Sequence, residues 1–185
     1  MTISGETIDY GPCAFMDTYD PQTVFSSIDH EGRYAYFNQP GIAKWNLTRL
    51  AESLLPLIDN DKNKAISIAT ESINRFDHIY ENSWLKMMKE KLGLTGEEKG
   101  EEKIIIDLLT WMKENKADYT NTFCYLMSKN KSKEKIFENK DFIKWNLRYT
   151  ARVRQRNEES YKMMKKNNPL IIPRNLKVDK VLESA

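Results

Sequence analysis

Cysteine and histidine are both scarce, at two residues each in a chain of 185. Cys13 and Cys124 lie far apart and form no Cys-x-x-Cys pair, so neither a zinc site nor a disulfide framework is suggested; two reduced, partly buried thiols are expected. His78 has no Cys or second His near it, so a surface or satisfied core histidine is expected rather than a metal ligand. His30 stands between Asp29 and Glu31; the trio could hold a cation or a substrate hydroxyl, but ordinary turn chemistry is the expectation. No stretch is apolar for long enough to cross a bilayer as a helix, and the first residues carry neither the basic start nor the apolar run of a secretion signal. The cytoplasm is therefore the expected compartment, with no membrane partner. A net charge of only +2 is too small for a global field that would draw the chain onto nucleic acid. Also missing are a Walker phosphate loop, a His-Glu-x-x-His metal helix, a Gly-x-Ser-x-Gly nucleophile turn and any repeat period.

What the chain does have is helical periodicity, on a composition of 40% hydrophobic and 30% charged residues that suits a folded core. A helix is expected from Asn38 as N-cap to about Ile58, with Pro40 tolerated in its first turn and Pro56 bending or ending it. Leu47, Leu50, Ala51, Leu54, Leu55 and Ile58 share one face, which reads as core-facing. Asp59-Asn60-Asp61 offers turn and cap chemistry for a long second helix ending near Gly93. Residues 96–103 read as a solvated connection or an acidic first helical turn, and as an insertion point. Ile104, Ile105, Leu108, Leu109 and Met112 resume a helical face, and Asp118 caps a further helix reaching about Met127.

The lysine-rich stretch 129–135 reads as exposed linker, before a last long helix over 141–166. Phe142, Trp145, Tyr149 and Val153 form its apolar face. Arg148, Arg152 and Arg156 make a basic stripe on it, extended by Arg154, Lys162, Lys165 and Lys166. A solvated, partly paired face is the expectation for that stripe, helped by Glu158 and Glu159; an acidic partner, nucleic acid included, is the alternative. Pro169 and Pro173 frame an extended segment before a short helix from about Lys177, where Val181 and Leu182 could dock.

Residues 1–38 differ in kind. Gly5, Gly11, Pro12, Pro21 and Gly32 punctuate short apolar pieces, which predicts a strand, turns and one helical turn near 21–27. Within Thr7-Ile8-Asp9-Tyr10-Gly11-Pro12, Ile8 precedes the carboxylate and Gly11 and Pro12 stop regular structure after it, so Asp9 should project from a strand end into a turn. A carboxylate there can hold a hard cation, as the aspartate of Asp-Phe-Gly holds Mg²⁺ against nucleotide phosphates in protein kinases.

The longer run from Met1 through Asp17 closely resembles the metal-binding segment of the selenoprotein O family, which are kinase-like protein adenylyltransferases. Asp20-Pro21, Val24-Phe25-Ser26, Asp29-His30-Glu31-Gly32-Arg33-Tyr34-Ala35-Tyr36, Gln39-Pro40 and Trp45-Asn46-Leu47 resemble its next blocks, and Asn168-Pro169 with Ile172-Pro173-Arg174-Asn175 another. The resemblance is strongest over 1–58 and looser over 61–140.

It implies a transferase that moves AMP from ATP onto Ser, Thr or Tyr hydroxyls of protein substrates with Mg²⁺ or Mn²⁺. The implied fold is mainly α: the helical C-terminal lobe of a protein-kinase-like fold with a short strand and turn segment in front. Residues 1–38 would form the metal-binding and activation-segment-like region and 39–185 the helical lobe, together one incomplete structural domain. Asp9 alone carries over as metal and nucleotide ligand. The proton acceptor and second metal ligand of the family lie in an Asn-Thr-Asp-Asn motif expected upstream of Met1, and its selenocysteine beyond Ala185, so the isolated chain is expected to be inactive. Bacterial members are cytoplasmic and eukaryotic ones mitochondrial. A non-catalytic helical protein-binding module, or a pseudokinase-like scaffold, is the competing reading.

Overall fold

A computed structural model describes residues 14–95, 99–128, 134–153 and 158–184. The chain is mainly helical, with seven α-helices among the described residues: α1 (Gln39–Ile58), α2 (Lys62–Leu92), α3 (Glu101–Glu114), α4 (Tyr119–Met127), α5 (Lys140–Arg152), α6 (Glu158–Asn167) and α7 (Asn175–Glu183).

The helix boundaries follow from local chemistry. Asp61 caps α2 by accepting from the N–H groups of Asn63 (2.8 Å) and Lys64 (3.2 Å). At the other end Gly93 takes a left-handed conformation at φ 65°. A Cβ there would stand 2.8 Å from Cγ of Met164, so glycine is required both by the backbone and by the close approach of α6. Asp118 caps α4 through the N–H of Asn121 at 2.7 Å. Asn139 caps α5 by accepting from Asp141 and Phe142, while its amide donates to Asn115 Oδ1 at 3.0 Å, tying the start of α5 to the end of α3.

The core is built where the last turns of α2 meet α3, α4, α5 and α6. Met88, Leu92, Ile105, Leu108, Met112, Phe123, Leu126, Phe142, Trp145, Tyr149 and Met164 are all buried in it. The polar atoms of two of its rings are satisfied: Trp145 Nε1 donates to the Ile104 carbonyl and the Tyr149 hydroxyl to that of Leu92, both at 2.8 Å. Aromatic rings fill much of the space, with Trp111 and Phe142 at 4.6 Å between centroids and Trp145 stacked on Tyr149 at 5.0 Å.

Several expectations need correction. Residues 21–27 hold turns rather than a helical turn; the short helical piece is a 3-10 turn at Tyr36–Asn38. The strand expected around Ile8 falls outside the described residues. Within 14–38 the extended structure amounts to an isolated antiparallel bridge between Thr18 and Asp118.

The α1 face is also rotated and narrower than expected. Leu47, Ala51, Leu55 and Ile58 are half-buried, whereas Leu50 and Leu54 are exposed, and no α1 residue reaches the core. The reason is that α1 packs along a single helix, α2, and a lone neighbour covers only one thin stripe. Lys44 on α1 and Asp77 on α2 pair across that hairpin at 2.5 Å.

The single helix expected over 141–166 is two, ending at Arg152 and resuming at Glu158. The halves serve different neighbours, α5 packing on α3 and α6 on α2, which one straight rod could not do. Val181 and Leu182 of α7 stay exposed rather than docked on the described residues.

Candidate functional site

Asp9, the metal and nucleotide ligand implied by sequence, lies outside the described residues, as does Cys13. What the structure displays is the frame that receives the chain from residue 14 onward. The Asp17 carbonyl accepts from the N–H of Tyr119 at 2.7 Å, and the N–H of Tyr19 donates to the Ala117 carbonyl at 2.9 Å. These bonds lay residues 17–19 against the start of α4.

Tyr19 anchors the crossing. It stacks on Tyr119 at 5.7 Å and meets Tyr36 edge-on at 6.3 Å. Burial, with Tyr36 and Asp20 nearby, pushes the Tyr19 phenol up to about 12, and burial raises Tyr119 and Tyr36 as well, so all three stay protonated at physiological pH.

Beyond Tyr19 the chain makes a loop closed on itself. The N–H of Tyr36 donates to Thr23 and that of Phe37 to Pro21, both at 2.9 Å. The Asp29 carboxylate accepts from the N–H groups of Arg33 (2.9 Å) and Tyr34 (2.8 Å). Asp29 is thereby committed to turn chemistry. More broadly, no group of three or more His, Cys, Asp or Glu that could hold a metal occurs among the described residues. His78 is exposed on α2 beside Asn82 at 3.0 Å.

Two cations near this frame escaped the sequence reading. Arg174, between the last proline and α7, reaches back across the molecule. Nη1 donates to Asp17 Oδ1 and, at 2.6 Å, to Asp118 Oδ2, while Nη2 reaches Asp118 Oδ1 and Asn121 Oδ1, each at 3.2 Å. Its place in the Ile172-Pro173-Arg174-Asn175 block was the available signal; the spacing from Asp17 gave none.

Lys91, in the last turn of α2, is 8% exposed. Its ammonium donates to the Asn167 carbonyl at the end of α6 (3.2 Å) and lies 4.5 Å from the Phe123 ring centre and 5.4 Å from that of Tyr119. With Phe15, Tyr36 and Asn168 it lines a cavity of about 350 Å³ beside the residue 14–16 segment. Burial pushes the Lys91 amine down to about 8. Nearby Cys124 is half-buried, with its thiol raised by burial and by Asp118, which leaves it a poor nucleophile.

Lys91 makes a pH prediction. Between pH 8 and the ordinary lysine value of 10.5 the unfolded chain binds more protons at this residue than the folded one, so its contribution to stability rises with pH across that window. The burial penalty is fully present below about pH 8 and fades above it. Urea midpoints at pH 7.5 and 9.5 should therefore rise more in the wild type than in Lys91→Met. Parallel behaviour of the two proteins would refute this. The comparison stops short of pH 10, where the raised tyrosines add the opposite trend.

The basic stripe of α5 is spent internally. Arg148 pairs with Asp107 at 2.7 Å, and Arg152 with Glu101, both acids belonging to α3. Arg154 and Arg156 lie outside the described residues; Lys162 of α6 pairs with Glu158 at 3.2 Å. Of the two readings of 96–103, the acidic first helical turn is the one seen where the structure describes the segment: Glu101 and Glu102 open α3, and Glu101, 4% exposed, also accepts from Lys89 at 2.6 Å. Among the described residues no helix is long and apolar enough to cross a membrane.

Comparison with known proteins adds the family. A profile described as "Protein adenylyltransferase SelO" matches residues 1–185. Proteins named "Protein nucleotidyltransferase YdiU" are similar throughout: that of Pelagibacter ubique is 54% identical over 98% of this chain, that of Brevibacillus brevis 52% over 100%, and that of Geobacillus kaustophilus 50% over 100%. The chain spans 38%, 38% and 39% of the lengths of these relatives.

Proposed function

Because the chain belongs to the protein adenylyltransferase SelO family, we propose that the protein it forms part of transfers AMP from ATP to serine, threonine or tyrosine hydroxyls of other proteins. In this reading residues 39–185 are the helical lobe of a kinase-like fold, and residues 1–38 carry the metal-binding aspartate and an activation-segment-like loop. The observation that carries the proposal is the family match over the whole chain, Asp9-Tyr10-Gly11 included.

Asp9 is the residue proposed to hold the metal. One carboxylate with phosphate oxygens and water is a donor set that Mg²⁺ accepts, and the described residues add no competing cluster, so the chemistry fits. When bound, Mg²⁺ or Mn²⁺ neutralises charge on the nucleotide phosphates. The chain's own part is to present Asp9 upstream of residues 17–19, which backbone bonds tie to the start of α4.

The test separates adenylyl from phosphoryl transfer. The full-length protein should label protein from α-labelled ATP and not from γ-labelled ATP; label from the γ position alone would refute the reading. The isolated 185-residue chain, holding a single metal ligand, should show no ATP binding by calorimetry, since affinity needs many positioned contacts. Micromolar, Mg²⁺-dependent binding would overturn that expectation.

A further inference from the structure

Between α2, α3 and the segment 19–40 runs an open groove of about 680 Å³. Its floor is the hydrophobic core itself: Tyr19 and Met88 are buried members of that core, and Trp84 packs against it. The rim is apolar and open to solvent, with Phe37 69%, Ile106 46%, Met87 40% and Tyr80 39% exposed. Among the described residues that line the groove, Lys113 alone carries a charge. The sequence spacing on both helices is that of a covered face. On α2, Tyr80, Trp84, Met87 and Met88 fall at i, i+4, i+7 and i+8, and on α3 Ile106 and Leu109 fall at i and i+3. The described residues cover only the inner edge of that face, at Met88.

We propose that the groove seats an apolar segment of the same polypeptide from outside these 185 residues, docked permanently across α2 and α3. Two observations choose that occupant over a passing partner. First, a contact made directly on a hydrophobic core resembles a domain core cut in half, the character of obligate rather than transient association. Second, the chain spans only 38–39% of the lengths of its relatives, so the full-length protein has further polypeptide to place, tethered at high effective concentration. The proposal does not depend on the adenylyl-transfer reading.

The test places the photo-crosslinking residue p-benzoylphenylalanine in the full-length protein at Phe37 and, separately, at Tyr80, aromatic positions that a substituted ring fits with little disturbance. After illumination, mass spectrometry of the digested monomer should find both positions joined to peptides of the same polypeptide outside residues 1–185. Crosslinks only to a second copy or to other proteins would overturn the proposal, as would crosslinks confined to residues 1–185 or none at all.

Met87→Lys gives a second reading without a crosslinker. On an open rim a lysine reaches water at little cost. Beneath a docked segment it buries a charge, and the melting temperature of the full-length protein should fall by about 5 °C or more. A shift within about a degree would overturn the proposal, and should this variant not fold, the crosslinks decide.

Discussion

Replacing Asp9 by alanine in the full-length protein is expected to abolish AMP transfer while leaving the fold intact. The two halves of that expectation have separate grounds. The activity should vanish because a carboxylate aimed at a phosphate-bound cation has no neutral substitute: the described residues contain no second cluster of metal-ligating side chains that could take over. Losses of about a thousandfold or more are usual when a charge-stabilising group of this kind is removed. The fold should survive because the described core is built by α2 to α6 and by Tyr19. The assay is transfer of label from α-labelled ATP, with circular dichroism as the control. Transfer at the wild-type rate would remove Asp9 from the mechanism.

Glu101→Gln should be the most damaging single change to stability among the ion pairs described. The carboxylate sits at the first position of α3 with its side chain 5% exposed, between Lys89 at 2.6 Å and Arg152. These partners are themselves 20% and 18% exposed, so solvent can relieve little of the imbalance when the negative charge is removed. Breaking a buried pair by deleting one partner costs about 3–5 kcal/mol, because the remaining charge stays desolvated without its counterion. The favourable placement of an acid at a helix N-terminus is lost as well. For a chain of this size the melting temperature should fall on the order of 10 °C. A fall of only a degree or two would show that the two cations find other partners.

Helix ends were the most legible part of the sequence, because their chemistry is local. Asp61, Gly93 and Asp118 each act within a few residues of where they stand, and each sits where composition placed it. The break between α5 and α6 was invisible for the opposite reason. Neither Pro nor Gly occurs between Arg152 and Glu158, and the interruption comes from two halves packing on different helices. The same logic explains α1, whose apolar spacing could not say how many neighbours would cover it.

The candidate site divides likewise. Asp9 could be proposed from a short motif and a family resemblance, since its neighbours in sequence carry the signal, and it lies outside the described residues. Arg174 and Lys91 could not: one answers Asp17, the other caps α6 by way of Asn167. Glu101 was legible as an acid of a first helical turn, but its burial was not, because its partners arrive from α2 and α5.

The distance in sequence between Arg174 and Asp17 also sets an order of events. They are 157 residues apart, so their bond closes a loop containing almost every helix of the molecule. During synthesis, at roughly 5–20 residues per second, about eight to thirty seconds separate the emergence of the carboxylate from that of the guanidinium. Contacts of such high sequence separation form after local ones, so α1 to α6 can assemble while Asp17 and Asp118 still face each other uncompensated. The crossing of Asp17, Asp118 and Arg174 is thus closed last: on the ribosome the described helices α1 to α6 can assemble well before that ion pair forms.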